Sequence, residues 1–113
     1  MHELSLMQNV RDIIEASRTQ QGFRRVRTVR IEVGKLSCVE PDALRFCFDV
    51  VMQGTPAEGA NLDIIETQGR GVCRSCGGMV ELEALYDSCR LCGSHRVDVT
   101  AGNELRVREL EVE

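Results

Sequence analysis

Apolar residues at Leu6, Met7, Val10, Ile13 and Ile14, with Ser17 extending the stripe, recur at the three-and-four spacing of a helix with one buried face. The spacing predicts an amphipathic helix over about 5–21, with Ser5 as N-cap, Gln8 completing a capping box and Gly22 as the stop. On that reading Met1 to Leu4 form a short arm ahead of the helix, free to reach a ligand. The period then changes. Val29, Ile31 and Val33 alternate with Arg30 and Glu32, as in a strand with one covered face that ends at Gly34. Pro41 suits the first position of a second helix that carries Leu44, Cys47, Phe48 and Val51 on one stripe, with Glu40 at or beside its N-cap and Gly54 closing it. A further strand is expected at about 61–67, with Leu62 and Ile64 on one face and Ile65 on the other.

From Gly69 to about Arg96 cysteine and glycine dominate, and Met79-Val80-Glu81-Leu82 is the only long apolar element. Val97-Asp98-Val99 and the segment Leu105 to Val112 read as strands about a turn near Gly102-Asn103. The alternation slips between Val107 and Leu110, which predicts a bulge or two faces buried in turn. The expected architecture is α/β: two helices on a small mixed sheet of about three strands, with a four-cysteine zinc-binding module inserted before the final strand. The expected boundaries are 1–68 with 101–113 for the α/β domain and 69–100 for the module.

A chain of 113 residues supports one modest core, so a separate module needs its own staple. The start Met1-His2-Glu3-Leu4-Ser5 lacks the basic and apolar regions of a secretory signal, and no apolar run approaches the roughly 20 residues of a membrane helix. The expectation is a cytoplasmic protein, where six cysteines in paired C-x-x-C spacing point to metal and away from a disulfide framework. Nucleic acid is the rival ligand, favoured by Arg24, Arg25, Arg27 and Arg30. A net charge of −4 and 4% aromatic residues oppose it, and the arginine cluster reads as a solvated strand edge.

Cys73 and Cys76, then twelve residues, then Cys89 and Cys92 place two thiolate pairs on turns that can face one ion. Gly77 and Gly93 each follow a second cysteine, where backbone amides can turn toward the sulfurs. Four thiolates leave no open position, so the ion is structural and not catalytic. The competing readings are a redox pair, which needs a single C-x-x-C on a strand-to-helix turn, and a pair of disulfides. His95, three residues after Cys92, is an exposed loop histidine or an alternate ligand. Cys47 reads as a small core residue, and Cys38, in the loop after Gly34, is a weaker ligand candidate. No serine, histidine and carboxylate set is evident, and two histidines supply a further catalytic metal poorly, so an enzyme is not expected.

A lone histidine near a terminus usually does nothing. At position 2, however, the α-amine of Met1, the amide and imidazole of His2 and a donor from Glu3 can chelate one metal in fused rings, a tetragonal nitrogen and oxygen set suited to nickel(II) or copper(II). Met1-His2-Glu3-Leu4-Ser5-Leu6, Val33-Gly34-Lys35-Leu36-Ser37, the two cysteine knuckles and Gly102-Asn103-Glu104-Leu105 together closely resemble the hydrogenase nickel-incorporation proteins, the HypA/HybF family, in order and over the full length.

The resemblance implies a metallochaperone that carries nickel to the large-subunit precursor of [NiFe] hydrogenase, working with a maturation GTPase, as a monomer or homodimer, with neither nucleic acid nor membrane as partner. It implies nickel binding by Met1, His2 and Glu3, and structural zinc on Cys73, Cys76, Cys89 and Cys92. Some family members add a carboxylate from the loop after the first strand, where Glu40 stands in place of the expected aspartate. Members also often carry a histidine after the second cysteine of a knuckle. Gly77 and Gly93 occupy those places, so histidine-dependent coupling between the two metal sites runs through His95 or is absent.

Overall fold

The computed structural model describes residues 3–113; Met1 and His2 lie outside the described residues. Helix α1 (Glu3–Gln21) starts earlier than the capping signal at Ser5 implies. Glu3 and Leu4 are helical, so Ser5 is an interior position, the capping box with Gln8 does not form, and of the expected arm the remaining two residues lie outside the described ones. The reason is electrostatic. A carboxylate in the first turn sits favourably against the positive end of the helix dipole, and Glu3 occupies that turn. At the other end Gly22 takes φ +74° and donates its N–H to the Arg18 carbonyl at 2.8 Å, the left-handed stop its sequence position predicts.

Helix α2 (Pro41–Val51) begins as read, with Pro41 at its first position and Glu40 as N-cap. The inner faces of the two helices supply Met7, Val10, Ile14, Leu44, Phe48 and Val51, and strand β1 (Val26–Gly34) supplies Val26, Val29 and Ile31; all are buried. Burying each such side chain contributes roughly 1.5–3 kcal/mol, which is what holds helices of modest intrinsic propensity in place.

Strand β1 lies at the centre of a three-stranded sheet, between β2 (Asn61–Thr67) and β6 (Leu105–Val112). Arg27 and Arg30 therefore lie on a central strand and not on a strand edge, as the sequence pattern suggested, while Arg24 and Arg25 precede the strand and are exposed. Arg30, on the solvent side of the central strand, meets carboxylates from both neighbours: Asp63 and Glu111 at 3.1 Å each, and Glu109. The central position reverses the expectation because a charge there is answered across the sheet, not by solvent. Along β6 the half-buried positions are Leu105 and Val107, then Leu110, so the alternation changes phase where the sequence does. The backbone of Glu113 bonds Arg24 and Arg25, and the Gly34 N–H bonds the Glu104 carbonyl, which sets β6 antiparallel to β1.

A second sheet has the order β4-β3-β5, built from β3 (Gly69–Cys73), β4 (Met79–Leu82) and β5 (Val97–Ala101), all antiparallel to their neighbours. The chain forms two compact units. One comprises Met1–Ile31, Val39–Ile65 and Arg106–Glu113; the other comprises Glu32–Cys38 and Glu66–Leu105. Within the second unit a 3-10 turn over Lys35–Ser37 places Leu36 in a buried cluster with Cys73, Val80, Leu82 and Cys89. Gly34 passes so close to Gly102 that a Cβ would stand inside the carbonyl's van der Waals shell and 2.7 Å from Asn103 N. The Gly102 carbonyl also accepts the Leu36 N–H at 2.7 Å. Lys35 reaches Glu83 at 2.9 Å, which tethers the turn to the end of β4. Among the described residues no helix is long and apolar enough to cross a membrane.

Candidate metal centre

The two C-x-x-C turns have the same local build. In each, a glycine after the second cysteine adopts positive φ (Gly77 +72°, Gly93 +78°) and donates its N–H to the carbonyl of the first cysteine at 2.8 Å. A Cβ at either glycine meets nothing within 4 Å, so glycine is there for its backbone conformation and not for space. These amides serve the turn and not the sulfurs, which differs from the sequence expectation. Other backbone amides reach the sulfurs: the Leu91 N–H approaches Cys89 Sγ at 3.4 Å, those of Ser75 and Cys76 approach Cys73, and that of Ser94 approaches Cys92.

The turns bring all four ligand atoms within 4.8 Å of one another. Cys73 Sγ lies 3.6 Å from Cys92 Sγ, and Cys76 Sγ lies 3.8 Å from Cys89 Sγ. A tetrahedron of thiolates at about 2.3 Å from zinc has edges of about 3.8 Å. The sulfurs thus already span the shape a tetrahedral ion requires. Cys73 and Cys89 are buried against Leu36, Val80 and Leu82, while Cys76 and Cys92 are exposed, so each turn contributes one inner and one outer ligand.

The thiols do not titrate alike. Backbone donors from Cys76, then Ser75, together with the thiol of Cys92, bring Cys73 down to about 6 against the opposing effect of burial. At Cys92 the Ser94 amide pulls downward, yet the Cys73 thiol, burial and the remaining two thiols outweigh it and push the value up to about 12. Of this pair, Cys73 ionises at the expense of Cys92. A divalent cation removes that conflict by compensating all four charges, so this donor set fits a thiophilic metal and leaves it no vacant position. It is the one group of three or more metal-capable side chains that the described residues bring together.

The other candidates are placed as follows. Met1 and His2 lie outside the described residues. Glu3, in the first turn of α1, accepts the Glu40 backbone N–H on Oε1 at 3.4 Å. Glu40 in turn accepts the Asp42 N–H on its own Oε1 at 3.2 Å, so it has a structural duty as N-cap of α2. The starts of the two helices therefore bring Glu3 and Glu40 together although 37 positions separate them. His95 is exposed and outside the cysteine cluster. Cys47 is half-buried on α2, and Cys38 is exposed at the end of the 3-10 turn with φ +58°. Sequence reasoning missed Leu36 as a support of the metal site, because one apolar residue in a loop carries no periodicity; the glycine before it was the available signal.

A helical α/β unit in one chain with a unit that gathers four thiolates about a possible metal ion defines a small metal-handling protein. The family model described as hydrogenase/urease nickel incorporation, metallochaperone, hypA matches residues 1–112, and the chain belongs to that family. It is 51% identical to the hydrogenase maturation factor HypA of Methylocella silvestris and 47% identical to that of Azotobacter vinelandii, over 113 residues and all of each chain. The solution structure of the Ni metallochaperone HypA from Helicobacter pylori superposes with a TM-score of 0.73 at 25% identity, covering 99% of this chain and 97% of that one.

Proposed function

We propose that this protein is a nickel metallochaperone of hydrogenase maturation, which carries Ni(II) on its amino-terminal motif and holds a structural zinc ion on Cys73, Cys76, Cys89 and Cys92. The α-amine of Met1, the amide and imidazole of His2 and a donor from Glu3 bind the cargo, with Glu40 as the further carboxylate. The observation that carries the reading is the Glu40 N–H to Glu3 Oε1 hydrogen bond, which sets the third residue of the motif against the N-cap of α2. The four-thiolate site supports it by exclusion: a closed cage suits a resident ion, whereas cargo needs ligands that move and exchange. The protein acts in the cytoplasm without catalytic turnover of its own, in concert with the maturation GTPase, and hands nickel to the precursor of the [NiFe] hydrogenase large subunit.

The test is calorimetric nickel titration of the untagged, zinc-loaded protein beside its His2→Ala variant. Binding that is lost in the variant while zinc content stays intact supports the reading. A residue added ahead of Met1 removes the free α-amine from its place and weakens nickel binding severely. Equal nickel affinity in the variant, or in the extended chain, places the cargo elsewhere.

A further inference from the structure

Helix α2 buries Leu44, Phe48 and Val51, but its outer face is not polar throughout. Phe46 is 70% exposed and Val50 46% exposed. Four residues apart, they stack one turn above the other on the solvent side of the helix. Single exposed apolar residues are ordinary; an aromatic ring that continues into a β-branched neighbour on one helical stripe is the form of an anchor for a partner.

The surroundings of the stripe select its partner. Asp42 and Asp49 are exposed on the same helix, whereas the guanidinium of Arg45 is drawn away to the Leu62 carbonyl at 2.6 Å. Asp49 has no ion-pair partner among the described residues. The apolar stripe thus has an acidic rim, complementary to a segment that presents an apolar side chain flanked by lysine or arginine. Distance narrows the choice. Phe46 lies six residues beyond Glu40, roughly 9 Å along the helix at 1.5 Å per residue. A partner seated on Phe46 and Val50 stands close enough to Glu40 and Glu3 to place its own ligands at the cargo.

We propose that Phe46 and Val50, with Asp49 on their rim, are the surface on which the nickel-accepting hydrogenase large-subunit precursor docks, through an apolar segment with basic flanks. The proposal rests on the nickel-carrier reading and adds the place where delivery occurs. Substitution at these exposed positions leaves the core untouched, so the variants remain folded.

The experiment measures binding of the purified, nickel-free precursor to the wild-type protein and to Phe46→Ser, Val50→Ser and Asp49→Lys. The maturation GTPase serves as a second probe, and nickel titration and zinc content are recorded for each variant. Phe46→Ser is expected to weaken precursor binding roughly tenfold or more, the scale of a central aromatic anchor. Asp49→Lys weakens it most at low salt, with the difference shrinking as salt rises. Nickel affinity and zinc content stay at wild-type values. Precursor affinity unchanged in Phe46→Ser overturns the proposal, as does a loss confined to GTPase binding or a wild-type protein that does not bind the precursor. A wild-type protein that binds no nickel strikes the carrier reading instead, which keeps the two failures apart.

Discussion

Replacement of Leu36 by alanine tests whether the turn that carries it is part of the metal unit's core. Leu36 is 2% exposed and sits in a cluster whose other buried members are Cys73, Val80, Leu82 and Cys89, with Val97 and Val99 packed against it. Its Cγ and Cδ1 lie so close to Gly69 that a Cβ there would come within 2.7–2.8 Å of them, which means the side chain fills the space above that glycine. Truncation of a leucine in such a site costs about 2–5 kcal/mol, more when backbone prevents collapse of the cavity, as Gly69 and Gly102 do here. Two members of this small core belong to the four-thiolate group that could hold a metal ion, so on the proposed reading folding of the unit and metal binding are one linked event. A loss of ~3 kcal/mol then appears as roughly a 100-fold weaker zinc affinity although every ligand remains. The assay is competition against a chromogenic zinc chelator at fixed pH, with Leu36→Met as the volume-conserving control. Zinc affinity within twofold of wild type in Leu36→Ala refutes the reasoning, because the turn would then contribute nothing to the site.

Three further outcomes follow from the geometry. Gly34→Ala forces a Cβ into the Gly102 carbonyl and breaks the hydrogen bonds from Gly34 N–H to Glu104 and from Leu36 N–H to Gly102; a loss of about 2–4 kcal/mol in denaturant unfolding is expected, and one under about 0.5 kcal/mol contradicts it. Glu40→Ser keeps an N-cap acceptor for the Asp42 N–H but removes the carboxylate, so helix stability holds while nickel affinity falls roughly tenfold or more; unchanged nickel binding removes Glu40 from the cargo site. The Lys35 ammonium is held above its ordinary value of 10.5 by Glu83 first, so its contribution is fully present below that pH and disappears as pH rises through the raised value. Urea midpoints of wild type and Lys35→Met should therefore converge only in strong alkali, and convergence already at pH 8 disproves the linkage.

Sequence signals carried the parts of this fold that depend on local chemistry. Pro41 after Glu40, Gly22 at positive φ and the alternation of Val29, Ile31 and Val33 each express a rule that operates within one element, and each element forms where that rule puts it. The C-x-x-C spacing was equally legible, since two residues between cysteines is a property of one turn. Ser5 misled because a capping signature competes with the carboxylate one half-turn earlier, and Glu3 won. Strand β3, Gly69 to Cys73, has glycine at its two inward positions before the cysteine and gives no apolar alternation; only its pairing with β4 and β5 makes it a strand. Arg30 was grouped with its neighbours in sequence, whereas its three carboxylate partners come from strands that no local pattern connects to it. The Glu3 to Glu40 approach and the burial of Leu36 belong to the same class of facts, invisible until distant segments meet.

The chain passes from one unit to the other at Ile31–Glu32, at Cys38–Val39, at Ile65–Glu66 and at Leu105–Arg106. A bead on a string has one such junction and an inserted cassette has two; this protein has four. The cysteine-bearing stretch is consequently not portable. Grafted alone into another scaffold, residues 69–100 would bring all four thiolates but leave behind Leu36, Lys35 and the glycine crossing that give those thiolates a floor. Lineages that shorten, lose or exchange this stretch must rewrite the loop before α2 in the same step, so the two regions are bound to change as a pair.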